Sequence, residues 1–206
     1  MRVAIVGGTG PFGTALAKRL SAAGHEVVIG SRDAERAAAL AGELGARGAS
    51  NADAVRASDL VVLATKADAT LETASALGAA IGPTPVLSVA SELRFTPGGV
   101  LPSSDALSLA ERIQGELDAP VLAGLHSLAA STLGGDDALD EDAFVCGDDI
   151  EAKELALELA AGIVQGRALD AGPLATARAL EGLTAVIVNL NKRYRGHAGI
   201  RVTGLP

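Results

Sequence analysis

Aromatic side chains are nearly missing from this chain: three Phe, one Tyr and no Trp make up 2% of its 206 residues. That shortage removes the stacking platforms on which single-stranded bases are held. Cations are also outnumbered, 17 Lys and Arg against 25 Asp and Glu, for a net charge of −8. This balance argues against nucleic acid or an anionic membrane as a partner, and any bound anion must be met by local positive charge. The single Cys146, in the apolar run Ala143-Phe144-Val145-Cys146, can form no internal disulfide and reads as buried filler. Three histidines stand far apart at 25, 126 and 197, without the spacing of a zinc or iron cluster, so no metal is expected. No apolar run reaches the length of a membrane span, and an apolar strand begins at Val3 with no room before it for a signal or transit peptide. A soluble, cytoplasmic protein is the expectation.

What is present is a 49% hydrophobic chain in which β-branched runs alternate with Ala-rich helical segments. Strands are predicted near residues 3–6, 26–30, 59–64, 85–90, 120–125 and 143–147. Helices are predicted near 11–23, 33–44, 51–57, 68–80, 104–117 and 150–161. Asn51, Ser103 or Ser104, and Asp148 or Asp149 can accept from free N–H groups at helix starts. The strands are apolar throughout, as in a parallel sheet covered on both faces. The fold class is α/β: a Rossmann-type, doubly wound parallel sheet over residues 1–147, with a smaller C-terminal helical portion over 148–206. That extension carries a helix from Leu174 to about Arg193, with Leu180, Leu183, Val186, Ile187, Val188 and Leu190 around much of its circumference. Such a helix must be covered on several sides, within one subunit or by a second copy; a homodimer is expected. The basic tail from Asn191 to Arg201 interleaves charges with Gly and apolar residues, so it either ends in solvent or folds back over an anion site. His25, in a turn, is read as structural.

The most informative local signal is Val3-Ala4-Ile5-Val6-Gly7-Gly8-Thr9-Gly10-Pro11-Phe12-Gly13, an apolar strand running into Gly-x-Gly-x-x-Gly and then a helix with Phe12, Leu16 and Leu20 at four-residue spacing. In that context the glycines form a dinucleotide site: Gly8 for the tight turn, Gly10 for close backbone approach to a pyrophosphate, and Gly13 for helix packing. The helix start offers unpaired N–H groups to phosphate, so Thr9, Pro11 and Phe12 join the three glycines as cofactor-binding candidates. The second strand ends Gly30-Ser31-Arg32, without the carboxylate that an NAD ribose needs. Arg32 can donate a fork of hydrogen bonds to a 2′-phosphate, with Ser31 as a neutral donor. Arg36, one helical turn on, either adds a second cation or solvates the helix start beside Asp33 and Glu35. The cofactor reads as NADP(H).

Later segments carry a family likeness. Gly124-Leu125-His126, Val145-Cys146-Gly147-Asp148-Asp149-x-Glu151-Ala152, Leu169-Asp170-Ala171-Gly172-Pro173-Leu174, Leu180-Glu181-x-Leu183-Thr184 and Asn191-x-Arg193-Tyr194-x-x-His197-Ala198-Gly199-Ile200-Arg201, with the glycine turn and Gly30-Ser31-Arg32, span almost the whole chain. Through them it resembles the coenzyme F420-dependent NADP oxidoreductases, the NADPH:F420 reductases. The resemblance implies an enzyme transferring hydride between NADP(H) and the deazaflavin coenzyme F420, its co-substrate, with the two rings stacked in a cleft. The strand ends where open α/β sheets bind ligands add Ala64, Thr65 and Lys66, then Ser88 and Val89 with the turn to Ser91, then His126 and Ser127. His126 is the candidate polar cleft residue, a positioning residue that orients a ring or the cofactor amide. Two turns depart from the family. Thr65-Lys66-Ala67-Asp68 stands where members commonly carry Pro-Trp, and Ser88-Val89-Ala90-Ser91-Glu92 where a Pro-containing turn is expected. These changes leave open an NADPH-dependent reductase of the same fold acting on another acceptor. A non-catalytic NADP-binding redox sensor is the reading from a different class, and it would need only the first half of the chain.

Overall fold

The computed structural model describes residues 1–56 and 58–205. In chain order its elements are β1 (Arg2–Val6), α1 (Pro11–Ala22), β2 (Glu26–Ser31), α2 (Ala34–Leu44), β3 (Arg47–Ser50), α3 (Asn51–Val55), β4 (Leu60–Leu63), α4 (Ala67–Ile81), β5 (Val86–Ser88), β6 (Leu93–Thr96) and β7 (Gly99–Pro102). Then follow α5 (Leu109–Gln114), β8 (Val121–Gly124), α6 (Ala130–Leu133), β9 (Ala143–Gly147), α7 (Ile150–Ala161), β10 (Ala168–Asp170), a 3₁₀ turn at Leu174–Thr176, and α8 (Ala177–Tyr194). Eight strands form one sheet in the order β10-β9-β8-β5-β4-β1-β2-β3, and β6 pairs with β7 in a separate hairpin.

The sheet has two buried faces because its central strands, β1, β4, β5 and β8, are apolar and buried almost throughout. Along β1, Val3 and Ile5 pack with Leu16, Leu20 and Ile29 on one side, while Ala4 and Val6 pack with Val61, Leu63 and Leu109 on the other. The period-2 alternation of Cβ direction sends successive residues to opposite layers. β1 pairs in parallel with both β2 and β4, so the chain order reverses around it and a crevice opens beyond Val6 and Leu63.

The sheet departs from the all-parallel expectation at one place: β9 runs antiparallel to β8. Residues 125–142 stay at the carboxyl end of the sheet, where α6 packs on α1, so the chain re-enters from that end. The expected caps shift by a residue or more. Ser50 caps α3 in place of Asn51, and the end predicted for that helix, at 57, lies outside the described residues. α5 begins at Leu109 because Ser108 and Glu111 form a capping box, well after Ser103 and Ser104. Asp149 caps α7, while Asp148 accepts from the Leu174 amide at the start of the C-terminal helical segment.

Candidate active site

Beyond β1 the chain turns at Gly7, whose φ of 75° is the left-handed conformation that only Gly adopts freely. The tight turn thus rests on Gly7, not on Gly8 as the spacing suggested. Gly8 is a packing residue: its N–H donates to Ile5 O and Gly30 O at 3.1 Å, and a Cβ on Gly13 would lie 2.7 Å from its Cα. That absence of side chains brings α1 down onto the turn. Gly10 is the N-cap of α1 and makes no side-chain cap, and Pro11 occupies the first turn. The remaining amides of that turn have no intrahelical acceptor and face a phosphate-sized demand for negative charge.

Two adjoining cavities open at this crevice. The larger, about 760 Å³, is lined by Gly7, Thr9, Gly10, Pro11 and Phe12 from the turn, and by Ser31, Arg32, Asp33 and Arg36 after β2. Asn51 and the segment after β4, with Ala64, Thr65, Lys66, Ala69 and Thr73, also line it. Ser31 is buried and its Oγ accepts from the Asp33 N–H at 3.2 Å. Asp33 caps α2, with Oδ1 accepting from the Arg36 N–H at 3.0 Å, which occupies the one carboxylate on this wall. Among the described residues neither Arg32 nor Arg36 has an ion-pair partner. A glycine cradle, a free helix start and two unpaired guanidinium groups in one cavity fit a phosphorylated dinucleotide.

The smaller cavity, about 200 Å³, shares Phe12, Ala64 and Thr65 with the first and continues to Val89, Ser91, Leu93, Leu125, His126, Leu128 and Thr184. Its walls are mostly apolar, with four polar residues, Thr65, Ser91, His126 and Thr184, the composition that suits a flat ring system. Leu125 holds φ at 62°, a strained conformation for a branched side chain, at a cost on the order of 1–3 kcal/mol. Its N–H donates to Phe144 O at 3.1 Å and its side chain is fully buried, so packing fixes the strain. The consequence is the placement of His126. That ring is buried, Nε2 lies 3.3 Å from Ala90 O, and burial pushes its pKa down to about 4. It is therefore a neutral imidazole at neutral pH, with Nε2–H donating to the carbonyl and Nδ1 left as an acceptor without a partner among the described residues. Thr184 of α8 donates to His126 O at 3.0 Å, so the 2.8 Å contact with Ser91 must be a donation from Ser91 Oγ to Thr184 Oγ1. Three segments are locked together at the cavity by two hydroxyls.

Not every candidate lies on these walls. Ser88 is wholly buried at the end of β5, with Oγ lacking a partner among the described residues. Ser127 is buried and turns its hydroxyl to Asp142 O at 3.2 Å. Gly8 and Gly13 shape the turn from beneath. Lys66 lines the larger cavity and not the smaller one, so the ammonium that replaces an aromatic position lies on the dinucleotide side. Cys146 is fully buried, and burial pushes its thiol up to about 12, which keeps it protonated and inert. The end of the basic tail packs against Asp140 and Asp142. Arg201 pairs with Asp140, and the Val202 N–H donates to Asp142 Oδ2 at 2.8 Å, beside the 2.9 Å ion pair from Arg167 to the same oxygen. Sequence reasoning gave no role to Thr184 and did not place Leu93, Leu125 or Leu128 in the site. The Leu-Thr pair was legible only as part of a family motif.

Residues 2–92 match the family described as NADP oxidoreductase, coenzyme F420-dependent. The chain is 34% identical, over its full length and 96% of the relative, to the F420-dependent NADP reductase of Methanothermobacter thermautotrophicus. It is also 34% identical, over its full length and 99% of the relative, to the F420-dependent NADP reductase of Methanocaldococcus jannaschii. A crystal structure from Arthrobacter sp. FB24, whose own assignment as an F420-dependent NADP-reductase is provisional, superposes with a TM-score of 0.83 at 28% identity, covering 98% of this chain and 99% of that one.

Proposed function

The chain belongs to the coenzyme F420-dependent NADP oxidoreductases, and from that premise we propose how its two joined cavities divide the work. The enzyme transfers hydride between NADP(H) and coenzyme F420. The larger cavity holds the dinucleotide: Thr9, Gly10, Pro11 and Phe12 present the start of α1 to the pyrophosphate, and Ser31, Arg32 and Arg36 receive the 2′-phosphate. The smaller cavity receives the deazaflavin ring, with Val89, Leu93, Leu125 and Leu128 as apolar walls. The observation that carries this reading is the shared wall of Phe12, Ala64 and Thr65, which lines both cavities.

The nicotinamide and the deazaflavin supply the hydride chemistry between them, so the protein's work is placement and exclusion of water. His126, neutral and anchored on Ala90 O, is a positioning residue at that junction, and its backbone is held by Thr184 and through it Ser91. Phe12 and Ala64 keep the shared wall apolar. Residues 1–147 supply the dinucleotide cavity, and 148–206 complete the second cavity through Thr184. A homodimer accounts for the apolar surface of α8 and the β6–β7 hairpin, where Phe95 is 77%, Val186 52% and Tyr194 73% exposed. Adding NADPH to the purified protein and oxidised F420 tests the assignment: bleaching of the deazaflavin absorbance is expected, while NADPH oxidation only with some other acceptor overturns it.

A further inference from the structure

The larger cavity carries one cation that the dinucleotide fingerprint does not explain. Lys66 ends the turn after β4 and faces the cavity in line with Ala69 and Thr73, the i, i+3, i+7 row of α4. Its backbone is pinned. The Lys66 carbonyl accepts from Thr70 Oγ1 at 2.8 Å and from the Ala69 N–H at 2.9 Å, and Thr65 Oγ1 meets Thr70 Oγ1 at 2.8 Å. Thr65 in turn abuts Gly7, where a Cβ would lie 2.8 Å from Thr65 Cγ2. The side chain itself is exposed and, among the described residues, has no ion-pair partner. Arg32 and Arg36 line the same cavity from the β2 side, and its single acidic lining residue, Asp33, is engaged with the Arg36 N–H. In a chain of net charge −8, three cations facing one committed carboxylate define a site for a group bearing two negative charges.

We propose that Lys66 is a specificity-determining residue that closes on the 2′-phosphate of NADP(H) from the β4 wall, opposite Arg32 and Arg36. The inference rests on the NADP assignment and deepens it. A phosphate monoester carries close to two charges at neutral pH and has three acceptor oxygens, more than one guanidinium fork can satisfy. The ammonium, a compact point charge on a flexible stem, adds a donor from the face that the forks leave open. The pyrophosphate lies by the start of α1, which supplies its own amide donors, so the unmatched demand is at the 2′ position.

The test compares Lys66→Met, which keeps the stem length without the charge, and Lys66→Arg, by calorimetry with NADPH, NADH, 2′,5′-ADP and 5′-AMP. Lys66→Met should weaken NADPH and 2′,5′-ADP by about five- to twentyfold, and leave NADH and 5′-AMP within about twofold. Lys66→Arg should recover most of the loss. The slope of log affinity against log salt for NADPH should become shallower in Lys66→Met alone. Equal weakening of NADPH and NADH would place the ammonium on the pyrophosphate and overturn the proposal, as would no change with any of the four ligands. A wild-type protein that binds NADH as tightly as NADPH would defeat the NADP assignment itself, whereas an NADPH preference undiminished in Lys66→Met defeats only the role of Lys66.

Discussion

Single residues carry the tests of cofactor selectivity and ring placement. Replacing Arg32 with Ala removes one unpaired guanidinium from the larger cavity. NADPH binding should fall by roughly 1.5–3 kcal/mol, about ten- to a hundredfold, with NADH almost unaffected; calorimetry with both cofactors reads the difference. An equal loss for the two would move Arg32 to the shared pyrophosphate. His126→Ala should slow turnover without abolishing it, because misplacement by about an ångström can cost on the order of a hundredfold. Burial holds the wild-type ring neutral down to about pH 4, so no step in kcat between pH 5.5 and 9 should disappear in the variant. If such a step exists in the wild type and vanishes in His126→Ala, the residue transfers a proton and is no mere positioning group. At this scale the glycine turn and the Gly-Ser-Arg strand end were legible because each answers a local demand, a close approach or a phosphate charge. Leu125 was not legible as a strained residue, since its left-handed φ is imposed by Phe144 and the surrounding core.

Elements meet at the site through polar anchors buried inside apolar layers. Glu181 of α8 accepts from the Leu109 and Ala110 N–H groups at 3.1 Å each, pinning the start of α5 to the helix that carries Thr184. Burial outweighs these two donors and pushes its carboxyl up to about 7. The native state then holds a proton that the unfolded chain has released above pH 4.5, so this group's stabilisation is lost as pH rises from about 4.5 through 7. His126 acts in the opposite sense: its folded pKa is depressed from 6.5 to about 4, so its contribution is lost as pH falls through that window. The two slopes oppose each other between pH 4.5 and 6.5. Glu181→Gln should therefore lose more melting temperature than the wild type on acidification from pH 6.5 to 4.5. Parallel melting curves for the two proteins would show that Glu181 does not titrate there. Six of the ten strands were legible as apolar runs. β3, Arg47-Gly48-Ala49-Ser50, has no such run and exists because a bare Gly48 lets α2 close on it, where a Cβ would lie 2.3 Å from Ala37. The β6–β7 hairpin carries its turn signal in Pro97-Gly98-Gly99, but its strands are short and one is mostly exposed. β9's reversal follows from where residues 125–142 travel, which no local pattern encodes.

The whole molecule is a sheet whose carboxyl edge is roofed by segments far apart in sequence. Ser91 and Thr184 stand 93 positions apart, which is why the second cavity is harder to read from the sequence than the first. Among the described residues no helix is long and apolar enough to cross a membrane. The proposed homodimer uses the exposed apolar residues on α8. Val186→Asp should shift the mass measured by light scattering at micromolar concentration from dimer toward monomer, and a wild-type monomer would remove the dimer from the account. The central claim is that hydride passes directly between two rings held across a shared wall, with no covalent intermediate on the protein. Single-turnover reduction of oxidised F420 by stereospecifically deuterated NADPH measures this most directly. With one of the two C4 labels, the deuterium should appear in the reduced deazaflavin in full, and with the other it should stay on the nicotinamide. Deuterium recovered in water from both, or shared between the two faces, would contradict direct transfer.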